Sequence, residues 1–245
     1  MSEDDIRVRT PTMTRIWNVV RLHLVNRWTY VVLPWIILGT AFAMTLAIWM
    51  ILRSVGVTGI GVASGAVGSI FIYLMVAAIM SINLTFPFAL GFSVTRRDFY
   101  LGTALTFALI GAANAVVLTA LAAIEVASGG WWLNGTIFTV LGPDASPLAY
   151  WFLFFTLQLF CCFVGAAIAT IYMRWRVNGM VLFWVLGGVA IVGGFALITY
   201  TNSWAAIGAW MTESGAIGLA AWSLVPTILA GLAGFAVLSK ATTKN

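Results

Sequence analysis

The chain has 245 residues, 62% of them hydrophobic and 8% charged, with a formal net charge of +5. Soluble domains carry roughly 25% charged residues, and twelve basic plus seven acidic side chains are too few to cover a globule of this size with polar groups. A soluble fold is excluded, and lipid must be the solvent for most of the chain.

The N-terminal MSEDDIRVRTPTMTR is polar and lacks the short apolar core and small-residue cleavage site of a secretory signal, so the first apolar segment is expected to stay as an anchor. Thr10 followed by Pro11 suits an N-cap and first helical position. In the helix expected to follow, Met13, Ile16, Trp17, Val20, Leu24 and Trp28 cluster on one side, with Arg15, Asn18, Arg21 and Asn26 elsewhere and Val19, Leu22 and Val25 outside the apolar face. A basic amphipathic helix with tryptophans is expected to lie in the membrane interface. His23 has no Cys, Asp or Glu beside it in this helix, and is expected to be an interfacial residue.

A membrane-spanning helix needs roughly 20 apolar residues, because about 1.5 Å of rise per residue must cross about 30 Å of hydrocarbon. Six segments meet that length, at 30–52, 65–90, 101–124, 148–173, 180–200 and 217–239, and none contains Asp, Glu, Lys or Arg. The expected fold is therefore all-α: one polytopic domain over 1–245, with an interfacial N-terminus at 1–29, a six-span bundle at 30–239 and a tail at 240–245. With six spans every basic residue except Arg53 falls on one face, which the preference of Lys and Arg for cytoplasmic loops identifies as the inside. Both termini are then cytoplasmic, and the positive charge is a topology signal needing no nucleic-acid partner.

The loop at 201–218 is apolar but too short to cross, so a re-entrant or interfacial helix is expected before the last span. Cys161 and Cys162 are adjacent, with no metal-ligand spacing, and are read as packing residues. Small residues four apart, such as Gly61, Gly65 and Ser69, suit close helix packing.

No ionisable residue lies within a span to hold a coupling ion, and Glu125 should have reached the outer interface by helical rise. The acidic residues are dispersed, and no GxxxxGK[ST] phosphate loop exists. The chain is therefore expected to have no catalytic site, metal or cofactor of its own, and any uphill transport must draw its energy from another protein. Asn83, Asn114 and Gln158 are the deepest amides of spans two, three and four, fit for hydrogen bonds between helices or for a substrate path. Pro87 removes a helical hydrogen bond in span two and is a candidate hinge.

The short inner loop between spans two and three is the exception to this avoidance of charge. Thr95-Arg96-Arg97-Asp98 fits a capping box, in which Thr95 accepts from the Asp98 amide while the Asp98 carboxylate reaches back to the Thr95 amide. Two arginines in the first turn oppose the helix dipole, so something else must favour them. Positive-inside anchoring is one explanation; Phe99 and Tyr100, an aromatic patch beside the charges, suit a protein contact.

At these residues, from Gly91 through Tyr100 and on into LGTAL, the chain resembles the membrane subunit of ABC-2 type ABC transporters. Small bacterial members carry a Gly-x-(Ser/Thr)-Arg-Arg-x-(Phe/Tyr) segment in a short coupling helix that docks on the ATP-binding subunit. The resemblance extends to the N-terminal connecting helix, six spans and a re-entrant element before the last. It implies a multi-pass permease subunit of the bacterial cell membrane, forming a dimer with a second copy or a related permease. A separate ATP-binding subunit, which holds ATP and Mg, would drive it. Segment 93–100, with Thr95, Arg96, Arg97, Asp98, Phe99 and Tyr100, would be the coupling contact, and Arg174 and Arg176 a second one. An apolar path suits export of a lipid, amphipathic peptide or drug. The alternative is a non-transporting assembly, resistance or immunity partner.

Overall fold

The computed structural model describes residues 12–56, 64–91, 94–142 and 144–239. Thr10, Pro11, Phe92, Ser93 and the tail with Lys240 and Lys244 therefore lie outside the described residues. Among those described the chain is helical, without a strand. In chain order the helices are α1 (Thr12–Val25), α2 (Leu33–Ser54), α3 (Gly68–Met80), α4 (Phe86–Gly91), α5 (Arg96–Ala127), α6 (Pro147–Tyr200), α7 (Trp204–Trp222) and α8 (Leu224–Ser239). Among the described residues five helical stretches are long and apolar enough to cross a membrane: Trp28–Ser54, Gly65–Ala89, Arg96–Ala127, Pro147–Tyr200 and Trp204–Leu238.

Prolines explain the irregular turns. Pro34 and Pro87 lack the N–H that would bond the carbonyl four residues back, and each follows a π-helical turn, Trp28–Val32 and Ser81–Thr85, that widens the helix where the ring would clash. The chain continues through both turns, and Pro87, the candidate hinge, follows the second of them at the start of the short α4.

Helix α6 has 54 residues, about 80 Å if straight, and it is not straight. Arg176 takes φ 54°, ψ −144°, outside helical space. A Cβ built on Gly179 would lie 2.3 Å from Trp175 Cβ, whereas side chains four apart on a regular helix have Cβ atoms about 5–6 Å apart. The chain bends sharply here, and Gly179 is the residue the bend permits. The first arm is the centre of the bundle: Tyr150, Phe154, Gln158, Cys162, Ala166 and Ala169 are buried, and α6 packs against α3, α5 and α8. The second arm leaves Val181, Leu182, Trp184, Leu186, Val189, Ile191 and Val192 exposed, as lipid as solvent permits. Helix α7 is likewise broken, at Gly215 (φ 59°, ψ 179°), and Ser223 separates it from α8.

Helix α1 packs along the start of α5, and its contact face is not the expected one. Val19, Val20 and His23 are buried, whereas Met13, Trp17, Leu24 and Trp28 are exposed. Val19, expected outside the apolar face, is thus on its protein side, together with Val20 and His23. A hydrophobic stripe facing lipid and one facing protein look alike in sequence, and the partner surface decides between them: Gly102 on α5 supplies the room, since a Cβ there would meet Val19 Cβ at 2.5 Å and the Ile16 carbonyl at 2.9 Å. Gly102→Ala is therefore expected to push α1 off α5, at about 1–3 kcal/mol. Faster hydrogen exchange over residues 12–25, with exchange in α6 unchanged, is the check.

Candidate functional site

The bend before α5 is built as a plug of inward aromatics under an outward rim of charge. Thr95 is the N-cap, with φ −70° and ψ 150°, and its hydroxyl accepts from the Asp98 N–H at 3.1 Å. The reciprocal half of the capping box takes another form, because the Asp98 carboxylate, nearly buried, lies 4.0 Å from Arg15 Nη1 on α1. Thr95 and Arg97 are exposed and Arg96 is half-buried.

Phe99 and Tyr100 do not form the surface patch expected beside the arginines. They are 0% and 7% exposed, because the first helical turn aims consecutive residues in different directions and these two point at the bundle. The Phe99 ring lies 5.7 Å from His23 on α1 and 5.1 Å from Phe86, the residue before Pro87. Tyr100 donates its hydroxyl to the Gly231 carbonyl of α8 at 2.5 Å, and its ring sits 5.4 Å from Phe235. One helical turn thus joins α1, α4 and α8.

His23 completes the junction and is buried against protein, not turned toward lipid or water. It is 2% exposed, its Nε2 lies 2.9 Å from Thr103 Oγ1 and its Nδ1 3.3 Å from Ser81 Oγ. Thr103 already donates its hydroxyl to the Phe99 carbonyl at 2.9 Å, so Nε2 is the donor to Thr103 and Nδ1 accepts from Ser81. The ring is neutral, and burial lowers its pKa from 6.5 to about 4. With the folded pKa depressed, α1 docking is fully stable above about pH 6.5. It weakens as pH falls toward 4, where the undocked histidine takes a proton that the docked one refuses, by about 3 kcal/mol in total. Protease sensitivity of α1 is expected to rise across that window, and His23→Leu to flatten the dependence.

The other expected residues are dispersed. Arg174 lies over the Trp175 ring at 5.0 Å, and it and Arg176 are exposed at the bend of α6. Asn114 Nδ2 donates to Gln158 Oε1 at 3.4 Å in the buried seam between α5 and α6, leaving Gln158 Nε2 without a partner. This is a helix-to-helix bond, the first of the two roles open to these amides. Asn83 sits on the π-helical turn that packs against α6, and its Oδ1 is buried and unpaired.

A second buried polar centre went unread in the sequence. Glu125, near the end of α5, is 1% exposed and accepts from the backbone N–H groups of Ile137 (3.0 Å), Phe138 (3.1 Å) and Thr139 (2.9 Å), from Trp131 Nε1 (2.7 Å) and from the Thr139 hydroxyl. It folds the α5–α6 loop onto the helix end. Arg53, the basic residue set apart from the others by the positive-inside pattern, donates to the Trp132 carbonyl of the same loop at 3.0 Å.

No protein-family model, curated protein or solved structure matches this chain.

Proposed function

We propose that this chain is the permease subunit of an ATP-driven transporter of the ABC-2 type, energised by a separate ATP-binding subunit through the bend at Thr95–Tyr100. The observation that carries the reading is the division of labour in one helical turn: Arg97 is exposed and Arg96 half-buried, while Phe99 and Tyr100 reach α1, α4 and α8. A force applied at the arginines passes to three helices without crossing a flexible segment. Asp98 with Arg15 ties α1 to the same turn.

In this reading α6 crosses the membrane twice, giving six spans with both termini inside. The non-helical Arg176 and the close approach at Gly179 support that hairpin, and about 80 Å of helix has no other place in about 30 Å of hydrocarbon. Helix α1 lies in the inner interface with Trp17, Leu24 and Trp28 toward lipid, and 204–214, ahead of the Gly215 break, is the re-entrant or interfacial element. Two copies, or this chain and a related one, form an apolar export path in a bacterial cell membrane.

The test is affinity purification of the full chain from its native membrane. A P-loop ATPase is expected to copurify, and the reconstituted pair to move a fluorescent amphipathic substrate only with ATP and Mg. Recovery of a target protein without any ATPase would favour the non-transporting assembly or immunity role instead.

A further inference from the structure

We infer that the pocket between the beginning of α3, the beginning of α6 and the second half of α7 binds an acyl chain of a membrane lipid. It is an open pocket of about 480 Å³, walled by Val67, Phe71, Leu153, Phe154, Leu219 and Ala220 among others. That is within the range of about 300–1,000 Å³ typical of ligand sites.

The chemistry of the wall chooses the ligand. No charged side chain lines it, and its two hydroxyls are already engaged: Ser64 Oγ bonds Thr45 Oγ1 at 3.1 Å and accepts from the Ala66 N–H at 3.2 Å, while Ser223 Oγ donates to the Ala220 carbonyl at 2.6 Å. A polar ligand would lose its water here without gaining a partner. Saturated hydrocarbon loses nothing. Three of the lining segments belong to apolar helices of membrane length, so the hydrocarbon at hand is the lipid around them.

Two glycines border the same space. Gly65 and Gly68, in the pocket wall, have nothing within 4 Å of a built Cβ. Glycine in a helix costs about 1 kcal/mol relative to alanine, and Gly68 has ordinary helical dihedrals, φ −62° and ψ −25°. A large side chain at Gly68 would occupy part of the pocket. The opposite wall, 216–222, runs from the Gly215 break to the Ser223 turn. The site depends on membrane insertion and not on the ATPase, so its failure and that of the permease reading are separable.

Full-length protein is reconstituted in nanodiscs of equimolar phosphatidylglycerol and phosphatidylethanolamine, released into detergent, and its retained lipid counted by native mass spectrometry. The wild-type chain is expected to hold one lipid. Gly68→Phe, which fills the pocket from an open position, is expected to reduce retention about tenfold, a loss of about 1.4 kcal/mol, and Leu229→Phe on the exposed side of α8 to leave it unchanged. Equal retention by Gly68→Phe and wild type, or none by wild type, overturns the assignment. A phosphatidylethanolamine with a diazirine on its acyl chain keeps the test decisive if Gly68→Phe misfolds. Adducts are expected at Phe71, Phe154 and Leu219, and adducts confined to residues 181–197 contradict the site. If free hexadecane binds the wild-type chain while no lipid is retained, the ligand is a free apolar molecule and the lipid assignment falls.

Discussion

Arg96→Glu combined with Arg97→Glu is expected to abolish ATP-driven transport while leaving the chain folded. Arg97 is exposed and Arg96 half-buried, so neither glutamate creates a deeply buried charge. Both fall in the first turn of α5, where negative charge suits the helix dipole by a few tenths of a kcal/mol each, and repulsion from Asp98 offsets part of that gain. Thermal stability should stay within about 1 kcal/mol of wild type. The partner contact behaves differently: like charges facing each other across an interface cost several kcal/mol, and each 1.4 kcal/mol is about tenfold in affinity. Copurification of the ATPase should fall by at least about a hundredfold, and transport with it. A variant with full transport would reduce the arginines to topology signals.

The largest effect on stability is expected at Glu125. In Glu125→Ala the N–H groups of Ile137, Phe138 and Thr139 and the indole of Trp131 lose a common acceptor in a buried place. Each buried donor left unpaired costs about 1–3 kcal/mol, so a loss of about 4 kcal/mol or more is expected. Glu125→Gln keeps the shape but turns an amide NH₂ toward donors, and should fall between alanine and wild type. Hydrogen exchange over 129–142 should rise first, because this carboxylate holds that loop. The loop carries three non-glycine residues with positive φ, Trp131, Trp132 and Asn134, conformations that persist only where bonds hold them. Val140 and Leu141 follow directly and line the apolar pocket, so lipid retention should fall in the same variants.

The apolar stretches could be read from residue types alone, because a bilayer imposes a length and forbids charge, and the long apolar helices follow that pattern. The two arginines near 175 likewise marked an interruption that the backbone answers at Arg176. Where a side chain points was not legible. Phe99 and Tyr100 looked like surface because they adjoin arginines, yet successive residues on a helix are about 100° apart, and the neighbouring Phe86 and Gly231 come from distant segments. His23 failed for a related reason: its partners Ser81 and Thr103 are 58 and 80 residues away. Glu125 was placed by helical rise at the end of its helix, but its bonds run to a loop whose path no local periodicity describes. The signal available was weak: a lone carboxylate next to an apolar, tryptophan-rich loop needs donors, and the loop's amides are the nearest.

The permease role proposed for this chain requires the exposed face of one helical turn to meet a nucleotide-hydrolysing partner. A photocrosslinking amino acid placed at position 97 of the full chain, activated in intact cells, tests that contact directly. A single covalent adduct with a P-loop ATPase is expected, lost when the ATPase is deleted. Adducts only with lipid, or labelling of position 97 by a membrane-impermeant reagent added from outside, would contradict it.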